Sequence, residues 1–242
     1  MKHYAAIAAI TFTLLGCGGG GGSGSSQSQD ANPAQGIWNG SFTESNGDVT
    51  DLTFVVLENG ELWGAQVTEA TESGGIMHGK IQASNGAFTY AMRMYFSNKA
   101  TISSPSGSGT YTSGQKLNFA GTEAVQTTFN NTYETKASLK NLAGTYTGNA
   151  MSKNNVVTAL DVSIDPDGKI SGGDASSCFV LGQATPRASG KNVFDVTLTP
   201  QGKDCPSGAS STSGIGLLLG SELTLMTENA ANNNIVGFSG NK

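Results

Sequence analysis

Apolar and polar side chains alternate with a period of two along much of this chain. Leu52-Phe54-Val56, Phe88-Tyr90-Met92-Met94, Leu160-Val162-Ile164 and Phe194-Val196-Leu198 each line one face of an extended segment, with polar residues between them. This spacing predicts half-buried strands. Turn signals separate the runs at Asn46-Gly47, Asn59-Gly60, Asn85-Gly86, Asp167-Gly168 and Ser189-Gly190, pairs that supply the positive φ of tight turns. Only Ala137 to Leu142 reads as helical.

The pattern occurs twice. At an offset of 108 without a gap, residues 36–64 match residues 144–172 at eight of 29 positions, among them Gly36/Gly144, Leu52/Leu160, Gly60/Gly168 and Gly64/Gly172. Substitutions keep character, as in Trp38/Tyr146 and Val56/Ile164. About eight strands per copy at regular spacing predict an all-β protein: two tandem antiparallel domains, up-and-down barrels or sandwiches, over residues 36–136 and 144–242, joined by a connector at 137–143. The period leaves open whether the copies close separately or share one sheet system.

The first residues follow another logic. Lys2 precedes an apolar run from Tyr4 to Leu15, too short for a bilayer span of about 20 residues, and Gly16-Cys17 follows. Residues 1–16 therefore read as a secretory signal peptide. Leu14-Leu15-Gly16-Cys17 resembles the lipobox of bacterial lipoproteins, which implies cleavage before Cys17 and its acylation with a palmitate-type anchor. Gly18 in place of an aspartate after the cysteine implies, by the same resemblance, the outer membrane, with the periplasmic or surface face open. Residues 17–35, rich in Gly, Ser and Gln, then form a tether with a mean reach of about 20–25 Å. Its poly-glycine is similar to that of Gram-negative surface lipoproteins of the factor-H-binding and transferrin-binding types. The Gly-x-Trp-x-Gly start resembles avidin-like and lipocalin-like first strands. With Leu142 to Gly148 (Leu-Ala-Gly-Thr-Tyr-Thr-Gly) the chain resembles uncharacterised proteobacterial lipoproteins.

Composition narrows the chemistry. A net charge of −5 with 13% charged residues opposes nucleic-acid binding. Beyond the leader there is one histidine, His78, too few imidazoles for a triad or a multi-histidine metal site, and it reads as a strand residue facing water. Asp51, Glu58, Glu61, Asp161 and Asp195 fall on turns or outward positions, so no enzyme, cofactor or metal is expected. Ser163 to Asp174 has carboxylates near calcium-loop spacing, but with a serine at the first ligand position and Asp at the last it reads as a turn, Pro166-Asp167 with Gly168 in the left-handed region. Cys178 and Cys205 are expected to form a disulfide in an oxidising envelope.

Three side chains are candidates for ligand contact. Trp63 lies outside if the Glu58-Asn59-Gly60 loop has three residues and inside if it has two. Tyr90 and Met92 would line a greasy cavity, or simply pack a core. The expected role is a binding or interaction module held to the membrane by its lipid, with an unknown protein or small-molecule ligand. The alternatives are an accessory subunit of an envelope assembly and a lipocalin-like carrier.

Overall fold

A computed structural model describes residues 31–68, 73–120, 125–153, 155–174, 178–201, 205 and 210–242. The strands are β1 (Gly36–Thr43), β2 (Val49–Val56), β3 (Glu61–Thr68), β4 (Ser73–Ser84), β5 (Ala87–Phe96), β6 (Ser106–Thr112), β7 (Lys116–Phe119) and β8 (Val125–Phe129). The second set is β9 (Gly144–Ser152), β10 (Asn155–Ile164), β11 (Lys169–Asp174), β12 (Cys178–Pro186), β13 (Phe194–Gln201), β14 (Thr212–Leu219), β15 (Glu222–Asn229) and β16 (Ile235–Asn241). Each set of eight pairs antiparallel in chain order, and β8 closes on β1 as β16 closes on β9. The fold is therefore two tandem up-and-down barrels, closed separately, which removes exposed strand edges. The connector carries a 3-10 turn at Asn131–Glu134 and one helical turn, Leu139–Leu142, inside the segment that reads as helical.

The repeat in sequence is a repeat in hydrogen bonds. Trp38 Nε1 donates to the Ala34 carbonyl at 3.0 Å, and Tyr146 Oη, 108 positions later, donates to the Leu142 carbonyl at 2.6 Å. Both rings are fully buried and plug the same end of their barrels, each with its polar atom satisfied. The β2–β3 and β10–β11 hairpins also coincide. Gly60 N donates to Leu57 O and Gly168 N to Asp165 O, both at 2.9 Å, and the two glycines sit at φ 79° and 82°. That left-handed geometry closes a three-residue loop and fixes Val56 opposite Leu62 and Ile164 opposite Ile170. Asp165 Oδ1 accepts from the Asp167 and Lys169 backbone amides, so the calcium-like stretch is the turn its sequence suggests.

The alternating positions fill both lumens. In the first barrel Trp38, Leu52, Phe54, Met77, Phe88 and Phe119 form one cluster, and in the second Tyr146, Val162, Ile164, Phe194, Leu198 and Phe238 form another. The body starts earlier than the tether reading placed it: Ala34 is fully buried in the first cluster, and Asn32 donates to Ile81 O at 3.1 Å. Tyr90 and Met92 point into the first lumen and pack there, with Tyr90 edge-on to Phe119 at 5.2 Å.

A third cluster belongs to neither lumen. Ile37, Val55, Trp63, Ile76 and Tyr95 on the outer face of β1–β5 meet Ile215, Leu217, Met226 and Ile235 on the outer face of β14–β16. Residues 31–242 thereby form one compact unit, with an apolar seam between two barrels. Glycines allow the close approach. A Cβ on Gly237 would stand 2.1 Å from Ile76 Cδ1, and one on Gly214 would stand 2.9 Å from Trp63 Cη2.

Candidate functional site

The chemistry-bearing side chains gather where this seam turns polar. Alternation puts Trp63 of β3, His78 of β4 and Arg93 and Tyr95 of β5 on the outside of the first barrel, facing Glu228 on the outside of β15. Glu228 is 3% exposed, and four donor atoms cover its two oxygens. Arg93 Nε reaches Oε1 at 2.9 Å, Arg93 Nη2 reaches Oε2 at 2.7 Å, His78 Nδ1 lies 2.6 Å from Oε2, and the Tyr95 hydroxyl donates to Oε1. A buried carboxylate is tolerated only when paired and hydrogen-bonded in this way. Burial alone would raise its pKa, but the bonds from His78, Arg93 and Tyr95 outweigh burial and hold it at about 2.

His78 is clamped between two carboxylates. Its Nε2 lies 3.1 Å from Glu61 Oε1, opposite the Nδ1 contact to Glu228, and its ring stacks on Trp63 with centroids 3.8 Å apart. Only the imidazolium donates from both nitrogens. Burial opposes that charge, yet Glu228 and Glu61 prevail and raise its pKa above the ordinary value. The same contact lowers the pKa of Glu61, which also accepts from Trp63 Nε1 at 3.0 Å. The reading of His78 as a water-facing strand residue is thus corrected: it faces outward from its own barrel, but the second barrel covers it.

Arg187 carries a further ion pair across the seam: its Nε donates to Glu58 at 2.9 and 3.2 Å, while its Nη1 pairs with Asp195 of its own barrel, and Lys191 pairs with Glu134 of the 3-10 turn. Glu58, Glu61 and Asp195 lie on turns and outward positions as expected, and the seam gives them partners. Between the barrels they leave a cleft of about 350 Å³, walled by Glu61, His78, Arg187, Asp195, Thr197 and Ser213 and floored by Trp63 and Glu228. Among the described residues no group of three or more His, Cys, Asp or Glu side chains is placed to hold a metal.

The three ligand-contact candidates do not converge. Trp63 is on the outer face, as the three-residue loop requires, but is 1% exposed beneath His78, whereas Tyr90 and Met92 are lumen residues. Cys17 lies outside the described residues. Cys178 opens β12, its side chain likewise outside them, and Cys205 is buried with its sulfur 3.9 Å from the carbonyl oxygen of Phe179, the next residue along β12. Arg93, Tyr95, Arg187 and Glu228 were not among the sequence candidates. Their signal would have been a polar residue set among apolar ones on both faces of a strand, as Glu228 is in Leu-Thr-Leu-Met-Thr-Glu. No family model matches this chain, and no curated protein matches it.

Proposed function

We propose that the chain is an outer-membrane lipoprotein, anchored through Cys17, that works without catalysis as a binding module and uses the cleft between its barrels as the contact surface. The observation that carries this reading is the cleft itself, charged and walled by both barrels, beside lumens occupied by their own side chains. Its carboxylates and guanidinium suit a polar partner that presents both hydrogen-bond donors and acceptors. The lipobox and tether support the anchored location. The Cys205 sulfur beside Phe179 supports a Cys178–Cys205 bridge stapling β12 to the loop after β13.

Two measurements test it. Palmitate label should enter the native chain and disappear in Cys17→Ser; label that persists in that variant refutes the anchor. The body, residues 31–242, is then used to capture partners from envelope extract and from host fluid, alongside Thr197→Arg and Ser213→Arg. Both residues are exposed and line the cleft, so these variants obstruct it without touching the core. A partner held by the native body and lost by both variants is expected; one held equally by all three moves the contact surface elsewhere.

A further inference from the structure

Further along β3, at Val67, the seam opens into a second hollow of different chemistry. It encloses about 240 Å³ and is lined by the side chains of Ala65, Val67, Ile76, Met151 and Val156, with no charged residue on its walls; Leu225 and Phe238 border it but send their side chains into the second lumen. Two glycines keep it open. Gly74 faces it from β4, where a Cβ would meet Met151 Sδ at 3.0 Å, and Gly237 faces it from β16. At its mouth Val67 is 53% exposed and Val156 44% exposed, two of the five exposed large hydrophobic side chains among the described residues.

The groove has a structural device of its own. In the first barrel β2 runs against β1 without interruption, Val49 to Leu52 opposite Thr43 to Gly40. In the second, Val157 lies opposite Ala150 but Leu160 lies opposite Gly148, so Thr158 and Ala159 share Asn149 as a partner. This is a β-bulge, and Ala159 holds it at φ 54°, a backbone conformation costly for a residue with a Cβ. The extra residue shifts the face on which the start of β10 presents its side chains. Val156 comes to lie opposite Met151, on the side of β9 that packs toward the first barrel. The copy without the bulge lacks this placement, so the strain has a local return: a valine aimed at the groove mouth.

We propose that this groove binds one linear aliphatic chain, and that its ligand is a medium-chain fatty acid. A lining of alanine, valine, isoleucine and methionine without charge favours methylene groups over a polar or ionic ligand. The volume falls below the roughly 300–1,000 Å³ of pockets that take drug-sized ligands, so the site suits a single small chain, and a dodecyl chain buries more methylene surface there than a naphthalene ring. Asn149 and Thr224 also line it and offer hydrogen-bonding groups to a carboxyl terminus. The site is separate from the polar cleft and does not depend on the function assigned to it.

Titration calorimetry of the body, residues 31–242, with dodecanoic acid below its micellar concentration tests the site. All sixteen strands, and the pairings that close both barrels, lie within these residues. Saturable 1:1 binding is expected. Val156→Asp, at an exposed position, and Gly74→Val, which fills the groove, should each weaken it by about tenfold or more. Leu181→Asp, a control at the exposed apolar residue of β12, should leave it unchanged, and 1-naphthoic acid should bind at least about tenfold more weakly than dodecanoic acid. Absence of saturable binding overturns the proposal, as does equal binding by native body and both groove variants. A concentration-dependent dimer that Val156→Asp abolishes, with dodecanoic acid binding unchanged, makes the groove an interface between copies and also overturns it.

Discussion

Replacing Glu228 with alanine separates the polar seam from everything else in the fold. The substitution removes the acceptor for Arg93, Tyr95 and His78 at once and changes no lumen residue. Arg93 is 31% exposed and turns to water, and the Tyr95 hydroxyl keeps the Asn232 carbonyl oxygen at 2.9 Å, so the loss sits at the lower end of the range for breaking a buried pair, about 3 kcal/mol. Proton linkage through the same contacts gives a figure of the same order. A carboxyl held at about 2 instead of its ordinary 4.5 contributes about 3 kcal/mol to the folded chain. Because that pKa is depressed, the contribution is complete above pH 4.5 and fades as the pH falls toward 2. His78 has the opposite sign: its raised pKa stabilises the fold fully below pH 6.5 and loses that stabilisation as the pH rises through the raised value. Urea unfolding of native chain and Glu228→Ala, followed by far-UV circular dichroism from pH 2.5 to 9, should show the widest gap between pH 4.5 and 6.5 and a narrowing on both sides. A gap below about 1 kcal/mol at pH 6, or one of constant width across the series, would refute the seam account.

Three other outcomes follow from contacts already described. Gly214→Ala places a Cβ 2.1 Å from the Met226 carbonyl oxygen and against Trp63, so it should cost about 1–3 kcal/mol in thermal or urea unfolding; a neutral result would show that the barrels do not approach there. Tyr146→Phe should cost about 1 kcal/mol by deleting its hydrogen bond to Leu142 O, and an unchanged unfolding midpoint would contradict the plug geometry. If Cys178 and Cys205 pair, intact-mass measurement before and after reduction should differ by two hydrogens, and Cys205→Ser should lose about 3 kcal/mol; an unreduced mass with both thiols free to alkylate removes the bridge.

The barrels themselves were legible in the sequence because their determinants are local. Period-two runs mark the lumen face, Gly60 and Gly168 mark the loops, and the repeat marks the boundary between copies. The seam was not legible, because it is made by residues 150 positions apart, as His78 and Glu228 are. A trace of it exists: Phe54-Val55-Val56-Leu57 and Ile76-Met77 are apolar on consecutive positions, which a strand buried on one face does not need. Such runs state that both faces are covered without saying by what. The same ambiguity governed Trp63, whose side of the sheet followed from the loop length, while its burial followed only from the second barrel. Ala34 was hidden for a different reason, since a single alanine among polar residues gives no periodic signal.

The two copies do not meet through matching surfaces. Strands one to five of the first present the apolar stripe, and the last three strands of the second receive it. A contact of that kind is head-to-tail and, repeated, would extend into a filament. Growth is blocked because the corresponding back of the first copy has lost its receiving side: Ser106, Ser108, Thr110, Thr112, Lys116, Gln126 and Thr128 are exposed there, every one hydrophilic. Restoring the isoleucines and leucines of the second copy at these places would leave a second apolar face open to water, with no matching stripe to cover it, since Ile37, Val55 and Trp63 correspond to Thr145, Ser163 and Ser171 in the second copy.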